Sequence, residues 1–267
     1  MKHCLLILVT ACLACAGCFD NHSRPADVMT VTSLNDLAAT NKAEIVRLFL
    51  RGAPRPVTDD DLKELSETGL KQLDLSEIKG QTVPESVWRL KGLMSFWFVR
   101  NGLVTIPDGI GNLPELTYLN LDGNSITNVS DSLAGAKKLR WLHLDGNAIA
   151  NVPDSLAALK DMRRIFLRNN ALTSVPAVVK EWPELEDLVL DGNKGLTDVP
   201  DWVCTSLPKL KSLSLCGCPV KRLPEDLSGL RNLNVLNLAD CPLPSEEIER
   251  IRKALYEVRE DKVVILF

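Results

Sequence analysis

One stretch of this chain repeats itself, and the repeat constrains the fold more than any other feature. Residues 116–124 read LTYLNLDGN and residues 139–147 read LRWLHLDGN, so the same pattern returns with a period of about 23 residues. Its apolar residues occupy the first, fourth and sixth positions, and the last two alternate with an outward residue, which is the spacing of a short β-strand. A fixed period of this length predicts a stack of strand-and-return units that curves into a solenoid.

Eight such periods follow one another. They begin at Leu70, Leu93, Leu116, Leu139, Met162, Leu185, Leu210 and Leu233. Every step has the same length except the step from Leu185 to Leu210, where we expect the two additional residues to bulge outward. A lone period buries too little apolar surface to offset the conformational entropy lost on ordering it, so neighbouring periods must supply burial and strand hydrogen bonds.

The ninth position of the period is polar although it follows a buried strand. It carries Asn101, Asn124, Asn147, Asn170 and Asn193 in the second to sixth periods, Cys218 and Cys241 in the last two, and Ile78 in the first. An amide that points into an apolar core is costly unless its donors and acceptor are paired. We therefore predict a structural ladder in which these side chains bond the backbone turns that leave the strands. Cys218 and Cys241 are predicted to be buried free thiols, and a disulfide between them after export is the alternative.

Proline marks the return segment of most periods. The fifteenth position holds Pro84, Pro107, Pro153, Pro176 and Pro224, and Pro200 matches it after the insertion. Proline fixes φ and forces the preceding residue to be extended. The return segments are therefore predicted to be irregular, with at most one helical turn each.

The pattern L-x-x-L-x-L-x-x-N-x-L resembles the leucine-rich repeat family, and the return pattern L-P-x-x-L-x-x-L is similar to that of its bacterial members. The resemblance implies an α/β fold over residues 70–244. This fold is a leucine-rich-repeat solenoid with a curved parallel sheet, helical N- and C-terminal caps, and eight repeats of about 23 residues each. It also implies a non-enzymatic protein that holds a partner on the concave face of the sheet.

Both ends of the solenoid need a cap, because an open end would expose the core. Residues 33–69 are predicted to form a helical N-terminal cap. Its first helix starts at Ser33, keeps helical spacing as far as Phe49 and ends at Gly52, and a second helix runs from Thr58 to a stop at Gly69. Residues 245–267 are predicted to form the C-terminal cap, an amphipathic helix followed by an apolar strand.

Residues 1–18 have the features of an export signal. A short cationic start precedes an apolar run that is too short to span a membrane, and small residues end it. Ala16-Gly17-Cys18 resembles the lipobox of bacterial lipoproteins, which implies a lipid on Cys18 that anchors the chain to a membrane without spanning it. Residues 19–32 would then be a polar tether, and Phe19 in the second mature position favours the outer membrane or cell surface. The alternative is cleavage after Ala16 and soluble secretion.

Composition excludes several partner classes. The chain of 267 residues has a net charge of −4 and a pI of about 5.5, so it lacks the basic field that nucleic-acid binding requires. After the export signal the sequence has no C-x-x-C unit, and neither a metal nor a cofactor is predicted. The repeated Asp-Gly-Asn could suggest calcium, but a turn that needs glycine and a capping aspartate explains it.

Aromatic rings and arginines gather among the outward residues of the second to fifth strands. The residues predicted to bind a partner are Trp97, Arg100, Tyr118, Arg140, Trp141, His143, Arg164, Phe166 and Arg168. Exposed tryptophan, tyrosine and arginine side chains anchor protein interfaces, which favours an unidentified protein ligand.

Two other interpretations of this group stay open. The rings of Trp97, Tyr118 and Trp141 could stack on a glycan or on cell-wall material, or the rings and arginines could merely cover one another on a solvated sheet. Catalysis is not predicted, because His143 stands beside Asp145 with no nucleophile placed to complete a triad.

Overall fold

The computed structural model describes residues 28–66 and 68–267, apart from the side chain of Asp261. In this part of the chain, one parallel sheet contains eleven strands in the order of the sequence. The strands are β1 (Met29–Val31), β2 (Ile45–Phe49), β3 (Gln72–Asp74), β4 (Ser95–Trp97), β5 (Tyr118–Asn120), β6 (Trp141–His143), β7 (Arg164–Phe166), β8 (Asp187–Val189), β9 (Ser212–Ser214), β10 (Val235–Asn237) and β11 (Val264–Leu266). This single open parallel sheet confirms the predicted solenoid.

The helices lie in the return segments and at the two ends. The α-helices are α1 (Leu34–Ala39), α2 (Asp59–Leu62), α3 (Asp201–Thr205) and α4 (Ser245–Arg259). Short 3₁₀ helices occupy Lys42–Glu44, Lys63–Leu65, Glu85–Arg89, Asp108–Asn112, Asp131–Gly135, Asp154–Ala158, Ala177–Glu181 and Glu260–Lys262. A proline with extended backbone precedes several of these turns, as Pro84 does with φ −62° and ψ 141°. Ser130 takes the same extended conformation before Asp131–Gly135, so the single turn does not require proline at this position.

The core lies between the sheet and the return segments. The first, fourth and sixth positions of each period are buried, and Leu93, Phe96 and Phe98 are at most 1% exposed. Adjacent strands bring equivalent positions together, so that Leu119 pairs with Leu142 and Leu142 pairs with Ile165. The apolar residues of successive periods thus form one continuous core.

The polar ninth position is fully hydrogen-bonded inside this core. The Asn193 side chain is completely buried. Its amide nitrogen donates to the carbonyls of Leu167 (2.9 Å) and Leu190 (2.6 Å), and its oxygen accepts the N–H of Leu172 (3.1 Å). Every buried polar atom of the side chain therefore has a backbone partner.

The other ladder residues make equivalent contacts with the backbone of the preceding period. These contacts are made by Asn101, Asn124, Asn147 and Asn170. Where cysteine replaces asparagine, the thiol of Cys218 donates to the Leu190 carbonyl (3.2 Å) and that of Cys241 to the Leu215 carbonyl (3.1 Å). Both cysteines are free thiols. The ladder ends at Ile78, whose N–H donates to the Asn101 side chain (2.9 Å).

The N-terminal cap differs from the sequence prediction. The helix predicted from Ser33 through Phe49 is wrong, because α1 ends at Ala39 and residues 45–49 form β2. β2 pairs with β3, with Leu48 beside Leu73, so pairing with the sheet overrides the local helical spacing. Met29–Val31, which the sequence assigned to the tether, pair with β2 as the edge strand β1. The remaining predicted tether residues up to 27 lie outside the described residues, as do residues 1–18.

The other cap elements lie near their predicted places. α2 follows Thr58, which forms a capping box with Asp61. α4 and β11 close the C-terminal end. The sixth period, which has the two additional residues, contains the α-helix α3 in its return segment, whereas the fifth period has a 3₁₀ turn there. Val203 and Cys204 of α3 are buried.

Replacing Asn193 tests the ladder. Asn193→Ala leaves the Leu167 carbonyl and the Leu172 N–H without their partner, and it leaves the Leu190 carbonyl with only the weak Cys218 thiol donor. We therefore expect the free energy of unfolding to fall by about 3 kcal/mol. Urea denaturation followed by circular dichroism measures this change. The control is Asn151→Ala at an exposed position, which should change stability by less than about 0.5 kcal/mol. Equal midpoints for the two variants would contradict a structural role for the ladder.

Candidate functional site

The candidate site is the face of the sheet that points away from the core. We call it the concave face and define it by the third, fifth and seventh positions of the periods. Strand pairing aligns the third positions in one column, which includes Tyr118, Trp141 and Arg164, and the fifth positions in another, which includes Trp97, His143 and Phe166. Side chains from β2 and from β4 to β7 are thereby brought into contact although they are distant in sequence.

Six rings form a continuous aromatic row across these strands. The row consists of Phe49, Trp97, Tyr118, Trp141, His143 and Phe166. Ring centroids lie 6.0 Å apart for Phe49 and Trp97, 5.0 Å for Trp97 and Tyr118, and 5.9 Å for Tyr118 and Trp141. The row ends in a stacked pair, with the His143 and Phe166 centroids 4.2 Å apart and their planes at 17°. Each ring is therefore held by at least one other.

The members of the row differ in what they offer to a ligand. Trp97, Tyr118 and Trp141 are half-buried and present part of each ring to solvent. His143 and Phe166 were expected to contact a partner, but they are only 7% and 6% exposed. His143 contacts the half-exposed Tyr118 ring at a centroid distance of 5.1 Å, so the buried pair supports the row through Tyr118.

Phe49 was missed because the sequence assigned it to a helix. The sequence does contain a signal for a strand here, because Ile45, Leu48 and Leu50 have the spacing of the first, fourth and sixth positions of a period. These three residues are at most 1% exposed. They form a degenerate period ahead of the first regular one, and Phe49 occupies its fifth position.

Two arginines are fixed against the aromatic row. The Arg164 guanidinium lies 5.5 Å from the centroid of Trp141 and 2.9 Å from the Asp187 carboxylate. The Arg168 guanidinium lies 5.4 Å from the Phe166 ring and bridges Asp145 (2.9 Å) and Asp191 (3.2 Å). Cation–π contacts and ion pairs therefore hold both arginines in place.

The remaining predicted arginines are more exposed. Arg100 forms an ion pair with Glu77 (3.0 Å), and its side chain is 70% exposed. Arg140 is exposed immediately before β6, and Arg163 is exposed at the equivalent place before β7. Asp187 and Asp191, which hold Arg164 and Arg168, were not predicted, because their contacts depend on the alignment of strands that lie one period apart in the sequence.

A column of acidic residues follows the strands at the seventh position. Asp122 accepts the N–H of Asp145 (2.7 Å), and Asp145 accepts the N–H of Arg168 (2.7 Å), so both carboxylates bond the backbone turns as expected. Burial, with repulsion from Asp145, raises the pKa of Asp122 to about 7. Within residues 28–66 and 68–267 no group of three potential ligands could hold a metal ion.

His143 is uncharged at neutral pH. Burial lowers its pKa to about 3, and the positive charges of Arg168 and Arg164 act in the same direction. Its Nδ1 lies 3.8 Å from the Asp122 carboxylate, which is too far for a hydrogen bond. A histidine with so low a pKa is a weak base, so its role in the row is packing.

The sequence comparisons agree with this architecture. The profile of the family described as leucine-rich repeat region matches residues 62–216, more than half of the chain. The chain therefore belongs to the leucine-rich repeat family, whose fold is a scaffold for protein–protein interaction. No curated protein is significantly similar to it in sequence.

Solved structures share the fold at low sequence identity. An internalin from Listeria monocytogenes superposes with a TM-score of 0.66 and 22% identity, over 88% of this chain and 64% of the internalin chain. A second similar structure is the leucine-rich repeat ectodomain of the plant receptor kinase GASSHO1/SCHENGEN3 from Arabidopsis thaliana, solved in complex with CASPARIAN STRIP INTEGRITY FACTOR 2. It superposes with a TM-score of 0.65 and 22% sequence identity, over 84% of this chain and 27% of the ectodomain chain. The leucine-rich repeat domain of the type III effector XopL superposes with a TM-score of 0.57 and 23% sequence identity, over 77% of this chain and 78% of the XopL domain. In the described part of this chain, no helix has the length and apolar character to cross a membrane.

The unusual pKa of Asp122 leads to a pH-dependence that can be measured. The folded protein holds a proton on Asp122 up to about pH 7, whereas the unfolded chain releases it near the ordinary aspartate pKa of 3.8. Between these two pKa values only the folded state binds the proton, so the free energy of unfolding falls as pH rises from about 4 to 7, and Asp122→Asn removes this fall. We expect the variant to gain stability relative to wild type across this window, reaching about 2 kcal/mol above pH 7.

Urea denaturation at several pH values measures this difference. Comparing variant with wild type cancels the opposite contribution of His143, whose depressed pKa costs stability as pH falls from 6.5 towards 3. Asp161→Asn, at an exposed position, serves as the control and should track wild type at every pH. A constant difference between Asp122→Asn and wild type from pH 4 to 8 would contradict the raised pKa.

Proposed function

We propose that this protein is an exported, lipid-anchored and non-enzymatic binding protein that holds a protein ligand on its concave face. The aromatic row is the observation that carries the proposal. Tryptophan, tyrosine and arginine dominate the binding energy of protein interfaces, and here they gather on adjacent strands of one rigid sheet. Trp97, Tyr118 and Trp141 supply the half-exposed rings.

Preorganisation supports the same proposal. The Tyr118 ring contacts Trp97, Trp141 and the buried His143. The Arg164 guanidinium is fixed between Trp141 and Asp187. A ligand that docks here orders few additional side chains. Because immobilising flexible side chains costs affinity, a surface that is already fixed favours tight binding.

The charges around the row indicate how a ligand would lie. Exposed Arg140 and Arg163 stand where β6 and β7 begin, whereas Asp122, Asp145 and Asp191 stand where strands end. Arg168 pairs with Asp145 and Asp191 at the strand ends, so the exposed arginines at the strand starts are the charges that a ligand meets. We infer that the ligand presents acidic groups towards Arg140 and Arg163 and apolar groups over the rings, since complementary charges orient partners.

A glycan is the second candidate. Three half-exposed rings on the consecutive strands β4 to β6 form a platform on which sugar rings could stack. However, Trp141 has the Arg164 guanidinium over its ring, and the Tyr118 and Trp141 rings meet at 88°, so little flat ring surface is free. The protein ligand is favoured for this reason.

Related folds support a binding role without identifying the ligand. The GASSHO1/SCHENGEN3 ectodomain was solved with a bound partner, CASPARIAN STRIP INTEGRITY FACTOR 2. At 22% identity this comparison extends only to the fold. Export and anchoring rest on residues 1–18, which place Cys18 after an apolar run and small residues.

Removing two exposed rings tests the binding face. In the double variant Trp97→Ala, Trp141→Ala, we expect at least a tenfold loss of the protein that wild type captures by crosslinking, because hot-spot residues each contribute about 2 kcal/mol or more. Quantitative mass spectrometry of the crosslinked material measures the loss.

The matched control is Trp202→Ala. Trp202 is also half-buried and also lies against a cation, with Lys180 5.8 Å from its ring, but it belongs to the return helix α3. This variant should capture as much ligand as wild type. Equal capture by the double variant and wild type would reject the aromatic row as the binding site, and release of the captured material by soluble glycans would favour the second candidate.

Replacing Cys18 tests the anchor separately. Cys18→Ser removes the thiol that carries the lipid, so metabolic labelling with a fatty acid should disappear and the protein should leave the membrane fraction. Cys15→Leu is the control, because it supplies the residue that lipoboxes prefer at that position and should preserve labelling. Undiminished labelling of Cys18→Ser would refute lipidation at this residue.

A further inference from the structure

The two edges of the described sheet are built differently. At the N-terminal edge, β1 pairs with β2 in an irregular register that shifts between Met29 and Thr30. At the other edge, β11 pairs with β10 in even register, with Val264 beside Val235 and Ile265 beside Leu236. Bulges and irregularities discourage the pairing of an edge with another strand. β1 has such an irregularity, and β11 does not.

The sequence of β11 also lacks the usual protection. Residues 263–267 read VVILF, with neither a charge nor a proline, and sheet edges are normally guarded by such residues. The Val264 side chain is 57% exposed, although valine is usually buried. This is a regular, uncharged and apolar edge.

The backbone groups of Ile265 in β11 face away from β10. The Val264 N–H donates to the Asn234 carbonyl (2.8 Å), and the Leu266 carbonyl accepts the Leu238 N–H (2.7 Å). Groups alternate in direction along a strand, so the N–H and carbonyl of Ile265 point away from β10 towards the open edge. Ile265 can therefore bond a further strand.

A groove beside this edge would receive the side chains of an added strand. It lies between α4 and β11 and encloses a volume of about 420 Å³. Its apolar lining comes from Leu255, Val263 and Ile265, with Tyr256 at its side. Charged residues surround this lining, namely Glu249, Arg252, Lys253 and Glu260.

We propose that β11 pairs antiparallel with β11 of a second copy of this chain, forming a two-fold dimer through the C-terminal edges. The charges around the groove favour this occupant. A two-fold interface places one patch against itself, so the patch must complement itself. Glu249 and Glu260 balance Arg252 and Lys253, and Glu249 pairs with Arg252 within the chain (3.2 Å), so the patch carries no net charge that would repel a second copy.

The register of the dimer follows from the backbone. Ile265 lies on the two-fold axis and exchanges both of its hydrogen bonds with Ile265 of the second copy. Val264 then stands opposite Leu266 of the second copy, and the exposed valine side chain becomes covered. A head-to-tail arrangement would instead place β11 against the irregular β1 and generate an open filament.

The oligomeric state of the purified chain tests the proposal. Sedimentation velocity over a concentration series should show the mass rising from one chain to two and no further. Hydrogen exchange should show slower exchange at the Ile265 amide as the dimer forms. A monomer at every concentration, or species larger than two chains that grow with concentration, would overturn the two-fold dimer.

Two charged variants locate the interface. Val264→Lys places a like charge on both sides of the axis and should raise the dissociation constant at least tenfold. Val104→Lys is the matched control, since Val104 is also 57% exposed but lies in the second period, and it should dimerise like wild type. If Val264→Lys dimerises normally, the edge is not the interface.

A third variant addresses the backbone directly. Ile265→Pro removes the N–H that points to the open edge and leaves the Val264 bond to Asn234 in place, so it should also abolish the dimer while circular dichroism stays unchanged. If the dimer persists in Ile265→Pro, β11 pairing is rejected. None of these measurements depends on the ligand of the concave face.

Discussion

Hydrogen bonds between backbone segments one period apart hold this molecule together, and the asparagine ladder extends them beyond the strands. From β3 onwards each strand has only three residues, too few for the strands alone to fix one period against the next. The ladder adds bonds just past the strand, as where the Asn147 oxygen accepts the Ile126 N–H (3.0 Å). A buried amide without partners is costly, and the asparagines from Asn124 to Asn193 bond both the turn that leaves their own strand and the preceding period.

This regular spacing also explains the character of the concave face. Parallel strands lie about 4.8 Å apart, which is close to the preferred separation of aromatic rings. Rings on neighbouring strands can therefore meet, and in β4 to β7 they do so with centroid distances of 4.2 to 5.9 Å. The same spacing lets the Arg168 guanidinium reach Asp145 on one side and Asp191 on the other. A binding surface with fixed side chains follows from the repeat itself.

The ends of the stack are where the repeat no longer supplies its own partners. The N-terminal end is closed by α1, α2 and an irregular edge strand, and the C-terminal end by α4 and the regular strand β11. The return segments solve a different problem, because they must pack closely on the outer side. At Gly111 an added Cβ would lie 2.3 Å from the Ser132 carbonyl oxygen, so only glycine permits this approach of two return segments.

The sequence by itself determined the repeat, the buried positions and the ladder. Leu119 and Leu142 occupy the same position of successive periods, and Asn147 occupies the position at which most periods have asparagine. An apolar side chain at such a position is stable only in the core, and an amide only where backbone groups bond it. It did not determine the structure of residues 45–49, because Ile45, Leu48 and Phe49 fit a helix and a strand equally well by spacing. Contact with β3 decided between them.

Tertiary structure alone also decided the composition of the candidate site. Sequence placed nine residues on the concave face but could not distinguish the half-exposed Trp97 and Trp141 from the buried His143 and Phe166. Exposure there depends on how rings from different periods stack, and ion pairs such as that of Arg164 with Asp187 depend on strand register. Local sequence specifies which side of a strand a residue takes, whereas its neighbours across the sheet are set only when the periods assemble.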